Sequence, residues 1–240
     1  MTMKIITVND PEDKLFPLDK ETYFDPAVYY HGTSRAFSSS IEKDGFKQNG
    51  HVYDMEDMAE LYRIGEPMYD TMPEEIQVYH GRLVWTIGSG GQHIGNKPVS
   101  FSGNYWVARN YSIRNPGCET IKLAVNVARW ISGLPSCPQQ EIAEKILKVY
   151  GSIFDGHVPC VYAARLPPEN GRKDGWENVE KLFGNSYGKP GKNANPDHSV
   201  ENDIPKESII ARIVLPIDSK QDKSGTEMGL PVPIPDTWDC

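Results

Sequence analysis

The chain has no Cys-x-x-Cys pair, no apolar run long enough to cross a bilayer and no block of basic charge, and each lack removes a class of function. Cys118, Cys137, Cys160 and Cys240 stand far apart, so neither a zinc knuckle nor a redox dithiol is expected, and folding in a reducing compartment would require no disulfide. The six histidines show no His-x-x-x-His ligand spacing, and no metal is expected. Gly88-Ser89-Gly90-Gly91 lacks the Gly-Lys-Ser/Thr of a phosphate-binding P-loop and reads as a flexible loop. Near the N-terminus there is only a short apolar patch, Ile5 and Ile6, with no long hydrophobic region behind it. These absences predict a soluble protein, cytoplasmic or exported by a route without a Sec-type signal, that does not enter membranes. A net charge of -8 repels phosphate backbones. The Lys and Arg between Arg165 and Lys192 are interleaved with Glu169, Asp174, Glu177 and Glu180, so this stretch reads as a mixed solvated surface and no nucleic-acid partner is expected.

What is present is enough chain, 240 residues, for one full core or for one domain carrying long insertions. An apolar share of 38% beside 21 Gly and 19 Pro predicts many turns around a modest core and disfavours long helical bundles. Residues 1–26 read as a charged, proline-punctuated lead-in, and residues 27–217 as the main domain, with an insertion at about 50–97. Residues 218–240, with Pro231, Pro233 and Pro235, read as an extended or disordered tail. Strands are expected at 27–30, 76–87, 99–102, 121–130, 160–166 and 208–215. Helices are expected within 38–46, with N-cap serines and a stop at Gly45, and at 55–64, 105–113 and 141–150. In the last of these, Ile142, Ile146 and Val149 share a face. Strands dominate by count.

Three separated elements carry chemistry: Tyr30-His31-Gly32-Thr33-Ser34, then Val99-Ser100-Phe101-Ser102 with Ala108 and Tyr111, then Glu201 ahead of Ile204-Pro205. In the second, Ser100 and Ser102 fall on one face of a strand and Phe101 on the other. Taken singly each element has a plain structural reading: a His before a turn glycine, an alternating strand, a solvated carboxylate. In this order they resemble the ADP-ribosyltransferase superfamily, which cleaves the nicotinamide–ribose bond of NAD⁺ and passes ADP-ribose to an acceptor.

The resemblance implies an α+β fold in which two small antiparallel sheets form a split β-sandwich with flanking helices, holding NAD⁺ as co-substrate in a cleft. It implies a mono-ADP-ribosyltransferase of the toxin or effector kind, acting on a protein side chain. Departure of neutral nicotinamide leaves an oxocarbenium-like ribosyl cation, which a carboxylate beside the ribose stabilises. By resemblance Glu201 takes that role, His31 bonds an NAD ribose hydroxyl, and the Gly32 backbone approaches the nicotinamide amide. Ser100 supports the nicotinamide or the catalytic carboxylate. Tyr30, Thr33 and Ser102 complete the cofactor set, and either Tyr105 or Tyr111 supplies a ring for nicotinamide stacking. His80-Gly81 is a second candidate for the first element, and Glu177, Glu180 and Glu207 are alternatives to Glu201.

The chain mixes two family patterns, with a His at the first position and Ser-x-Ser at the second. Ser199 stands where arginine-modifying relatives carry Glu, which disfavours arginine as acceptor and leaves Ser, Thr or another side chain. The protein substrate would be read by residues 184–200, where Tyr187 and His198 lie. The alternatives weighed are an NAD-dependent RNA 2′-phosphotransferase and a binding module of the same fold without catalysis. A cysteine hydrolase using Cys160 with His157 or His198 lacks any nucleophile signature.

Overall fold

The computed structural model describes residues 3–8, 17–19, 21–22, 25, 27–47, 53–87, 99–103, 105–135, 140–166, 197–200 and 203–215, with the backbone alone at 106 and 197–200. The fold is mixed α/β. It divides into a sheet unit, residues 1–48, 98–114 and 158–240, and a helical unit, residues 49–97 and 115–157.

In the sheet unit six strands form one sheet: β1 (Lys4–Thr7), β2 (Val28–Ser34), β3 (Val99–Ser102), β4 (Pro159–Arg165), β5 (Asp197–Val200) and β6 (Ile209–Val214). Their order is β1-β6-β4-β2-β3-β5. All neighbours run antiparallel except β1 and β6. Among the described residues this is one sheet where two were expected, but its two parts are barely joined. On one side β2, β4 and β6 share long ladders; on the other β3 and β5 pair along their whole length. Between them stands a single register pair, Tyr30 with Ser102.

Both faces of the central strands are covered, so β2 and β4 read as continuous buried runs and not as alternating ones. One face carries Val28 and Tyr30 of β2, Val161 and Ala163 of β4, Ala211 and Ile213 of β6, and Tyr105 and Ala108 of helix α4 (Tyr105–Arg114). The opposite face carries Tyr29, Phe101, Cys160, Tyr162 and Ile209, closed by Ile41 of helix α1 (Ser38–Asp44), by Phe46 and by Ile204. At about 2 kcal/mol for each fully buried large side chain, the rings of Tyr29, Tyr30, Phe101, Tyr105 and Tyr162 supply much of the cohesion of these layers.

Two glycines are required by close approach. A Cβ on Gly32 would lie 1.9 Å from the Ala108 carbonyl oxygen, so β2 packs on α4 at a distance that only glycine permits. Gly45 ends α1 at φ +78°, and a Cβ there would lie 2.1 Å from the Ile204 oxygen. The chain then pairs Phe46 with Ile204. The expected serine cap of α1 is displaced: its N-cap is Phe37, without a side-chain bond, while Ser34 Oγ accepts from the Ala36 N–H at the head of the preceding short 3-10 turn.

In the helical unit are α2 (Met55–Gly65), α3 (Glu74–Ile87), α5 (Glu119–Ser132) and α6 (Gln140–Asp155). Asp54 caps α2, accepting from the N–H groups of Glu56 and Asp57 at 2.9 and 3.2 Å. Its own N–H donates to the Tyr150 hydroxyl of α6, and Lys145 of the same helix pairs with Asp57 at 2.7 Å. Two expected strands are helices here. Residues 76–87 lie in α3, which buries His80, Leu83 and Ile87, and residues 121–130 lie in α5, which buries Ile121, Ala124, Val125, Ala128 and Ile131. Both spacings are helical, so the period of burial prevailed over β-branched composition. With these corrections helices outweigh strands among the described residues, and the disfavoured helical packing makes up the described part of one unit. The buried face of α6 is also shifted: Ile142, Ala143, Ile146 and Tyr150 point inward, while Val149 is exposed.

Candidate functional site

The site is built on the weak seam of the sheet. Along β2 every residue is buried except His31, a half-buried polar side chain in the middle of a covered strand. Its imidazole lies among aromatic rings, 4.9 Å from the ring of Phe46 and 5.4 Å from that of Phe101, centroid to centroid. Nδ1 is 2.8 Å from the Ser100 carbonyl oxygen. A carbonyl only accepts, so Nδ1 carries the proton, and in the neutral ring Nε2 is an acceptor. Burial holds the His31 pKa below its ordinary value of 6.5, against the smaller upward pull of the bond to Ser100. The ring is therefore neutral at physiological pH, and it offers a hydrogen-bond acceptor to a hydroxyl or N–H group.

The bond follows from the topology. Beyond the pair Tyr30–Ser102 the ladder between β2 and β3 stops, and a sheet edge would leave backbone groups unsatisfied. The His31 side chain satisfies the Ser100 carbonyl in place of a β2 backbone group. Ser100 itself is exposed and pairs in register with Ser199 of β5.

The remaining candidates divide by burial. Tyr30, Thr33, Ser102 and Tyr105 are buried, and the rings of Tyr30 and Tyr105 meet edge to face at 5.8 Å inside the core. Burial raises the Tyr105 pKa well above the usual phenol value, so its hydroxyl stays protonated. Gly32 faces the α4 backbone. Of the two tyrosines expected to stack on nicotinamide, Tyr111 is the exposed one, at 39%. Glu201, like Glu177, Glu180 and Tyr187, lies outside the described residues; in sequence it directly follows β5, whose Val200 pairs with Val99. Residues 197–200, expected as the end of a loop, are that strand; 184–196 lie outside the described residues, as does 218–240.

Two sequence alternatives are removed. His80 sits in a helix and not at a strand end: its Nε2–H donates to the Tyr62 carbonyl at 2.8 Å, its ring stacks on Tyr62 at 4.4 Å, and Gly65 leaves room for it. Cys160 is fully buried in β4 with its thiol pKa pushed up to about 12, chiefly by burial, so it is no nucleophile at neutral pH.

Sequence reading missed a polar row beside the site. His31, Tyr162 and Arg212 are register neighbours across β2, β4 and β6. Glu42 of α1 accepts from the Tyr162 hydroxyl at 3.2 Å and from Arg212. The sequence carried one usable sign of this, an Arg inside the apolar run 209–215. Among the described residues no group of His, Cys, Asp and Glu is arranged to hold a metal ion, and no helix is long and apolar enough to cross a membrane.

Compared with known proteins, the chain matches no family model, no curated protein and no solved structure.

Proposed function

We propose that the sheet unit is an NAD⁺-dependent mono-ADP-ribosyltransferase of a divergent kind, which transfers ADP-ribose to a protein side chain other than arginine and releases nicotinamide. One observation carries the reading. The first two elements singled out in the sequence, roughly seventy residues apart, fall on the adjacent strands β2 and β3, where His31 meets Ser100, and Glu201 follows β5, the strand paired with β3, in sequence. Chain-distant residues brought side by side at a seam, as His31 and Ser100 are, are what a site assembled for catalysis requires.

The single-pair junction between the β2 and β3 ladders supports the finer fold reading, a sheet split into two halves with the nucleotide in the opening. In this account Nε2 of neutral His31 accepts from a ribose hydroxyl while Nδ1–H holds the ring to Ser100. Tyr111 lends its exposed ring to the nicotinamide, and the Glu201 carboxylate stabilises the ribosyl cation as the neutral leaving group departs. The acceptor is read by residues 184–200.

Labelled NAD⁺ incubated with the protein and a cell lysate tests this directly. A labelled acceptor protein in the wild-type reaction, absent with Glu201→Gln, is the expected result. NAD⁺ consumed with RNA losing its 2′-phosphate and the label recovered as a soluble ADP-ribose phosphate would favour the RNA phosphotransferase alternative, and no NAD⁺ consumption at all would leave a binding module.

A further inference from the structure

The solvent stripe of α3 is apolar in an otherwise charged neighbourhood. While His80, Leu83 and Ile87 face inward, Val78 is 51% and Trp85 is 73% exposed, and seven residues of helix place them on one face about 10 Å apart. Tyr69, 40% exposed, lies against the same helix, its carbonyl accepting from the Gln77 side chain at 3.1 Å. Between Val78 and Trp85 stands Gly81, and a Cβ placed there meets nothing within 4 Å. Glycine inside a helix weakens it relative to alanine, and here no packing among the described residues requires it. Its effect is to leave the backbone bare in the middle of an exposed apolar stripe.

The charge around the stripe is mainly negative. Residues 54–87 hold eight carboxylates against two arginines, Arg63 and Arg82, and Arg82 is paired with Glu119. Asp70, Glu74 and Glu75 are exposed beside the stripe. An aromatic anchor with a shallow backbone gap and an acidic rim complements a segment that is apolar on one side and basic around it.

We infer that this face of α3 docks a basic, amphipathic helical segment of a partner protein, with Trp85 and Val78 as anchors and Gly81 as the seat for an inserted apolar side chain. The inference stands apart from the NAD⁺ reading, since it concerns the helical unit alone.

The test uses the full chain and a fluorescein-labelled peptide of about eighteen residues in which Lys and Leu alternate at amphipathic helical spacing, with a Glu/Leu peptide of the same pattern as control. Anisotropy should show the Lys/Leu peptide bound and the Glu/Leu peptide unbound. Trp85→Ala and Val78→Ser should each weaken binding by about tenfold with unchanged melting. Gly81→Leu should weaken binding while raising the melting temperature, a split that a purely structural role for the glycine does not produce. Equal affinity of wild type and all three variants would overturn the inference, leaving only general attraction to an acidic protein. A wild-type dimer in sedimentation velocity, dissolved by Trp85→Ala, would also overturn it and assign the face to a second copy of the chain.

Discussion

The Nδ1–H of His31 donates to the backbone carbonyl of Ser100 across 2.8 Å, at a point where the ladder between their two strands has already ended. One side chain thus closes a seam that backbone pairing leaves open. It also fixes its own tautomer, and the remaining ring nitrogen is set as an acceptor.

That arrangement has a pH signature. Burial holds the folded pKa of His31 below 6.5, so as pH falls the unfolded chain takes up the proton before the folded chain does. The stability contributed by the neutral ring is fully present above pH 6.5, is lost as pH falls from there toward the folded pKa, and levels off below it. Urea unfolding of wild type and His31→Gln between about pH 7.5 and 5 should show the wild type losing stability more steeply than the variant. Parallel profiles would mean that the ring is not held neutral by the fold.

Gly32 separates β2 from α4 by a distance that no side chain tolerates. Gly32→Ala should cost about 3 kcal/mol or more, because backbone atoms on both elements must move apart. Chemical denaturation reads this directly, and a loss below about 1 kcal/mol would show that the contact yields easily.

Much of this was visible in the sequence, for a physical reason that also explains the failures. Short elements bounded by strong punctuation were legible: the strand 99–102 matches β3, the helix ending at Gly45 is α1, and the apolar run after 208 is β6. The β-branched and aromatic content of 76–87 and 121–130 masked a helical period that the buried positions make plain. Ile6, read only as part of a short apolar patch, is the buried residue of the edge strand β1. At the site, the convergence of His31 and Ser100 was legible as a motif order, whereas burial of Tyr30, Thr33 and Tyr105 was not, since local sequence does not report that both sheet faces are covered.

The two candidate stacking tyrosines separate by mutation. Tyr105 is buried against Tyr30, so Tyr105→Ala should destabilise the protein by about 3–5 kcal/mol. Tyr111→Ala should cost less than about 1 kcal/mol, yet weaken NAD⁺ binding in calorimetry. Unchanged NAD⁺ affinity in Tyr111→Ala would remove that ring from the site.

Arg212 and Glu42 pair in a largely covered position, with Tyr162 donating to the same carboxylate. Removing one partner strands the other, so Arg212→Met alone should cost about 2 kcal/mol. Glu42→Gln combined with Arg212→Met should cost less than the sum of the two, by a coupling of about 1 kcal/mol or more. Additive losses in urea unfolding would show that the two side chains do not act as a unit.

The central claim is that this seam cleaves NAD⁺, and nicotinamide release by the purified protein tests it most directly. The account predicts release by wild type, increased by an acceptor lysate, and a loss of at least about a hundredfold in both Glu201→Gln and His31→Ala, with the folded state of each variant verified by its melting curve. Release unaffected by either substitution, or no release from wild type with and without lysate, would contradict it.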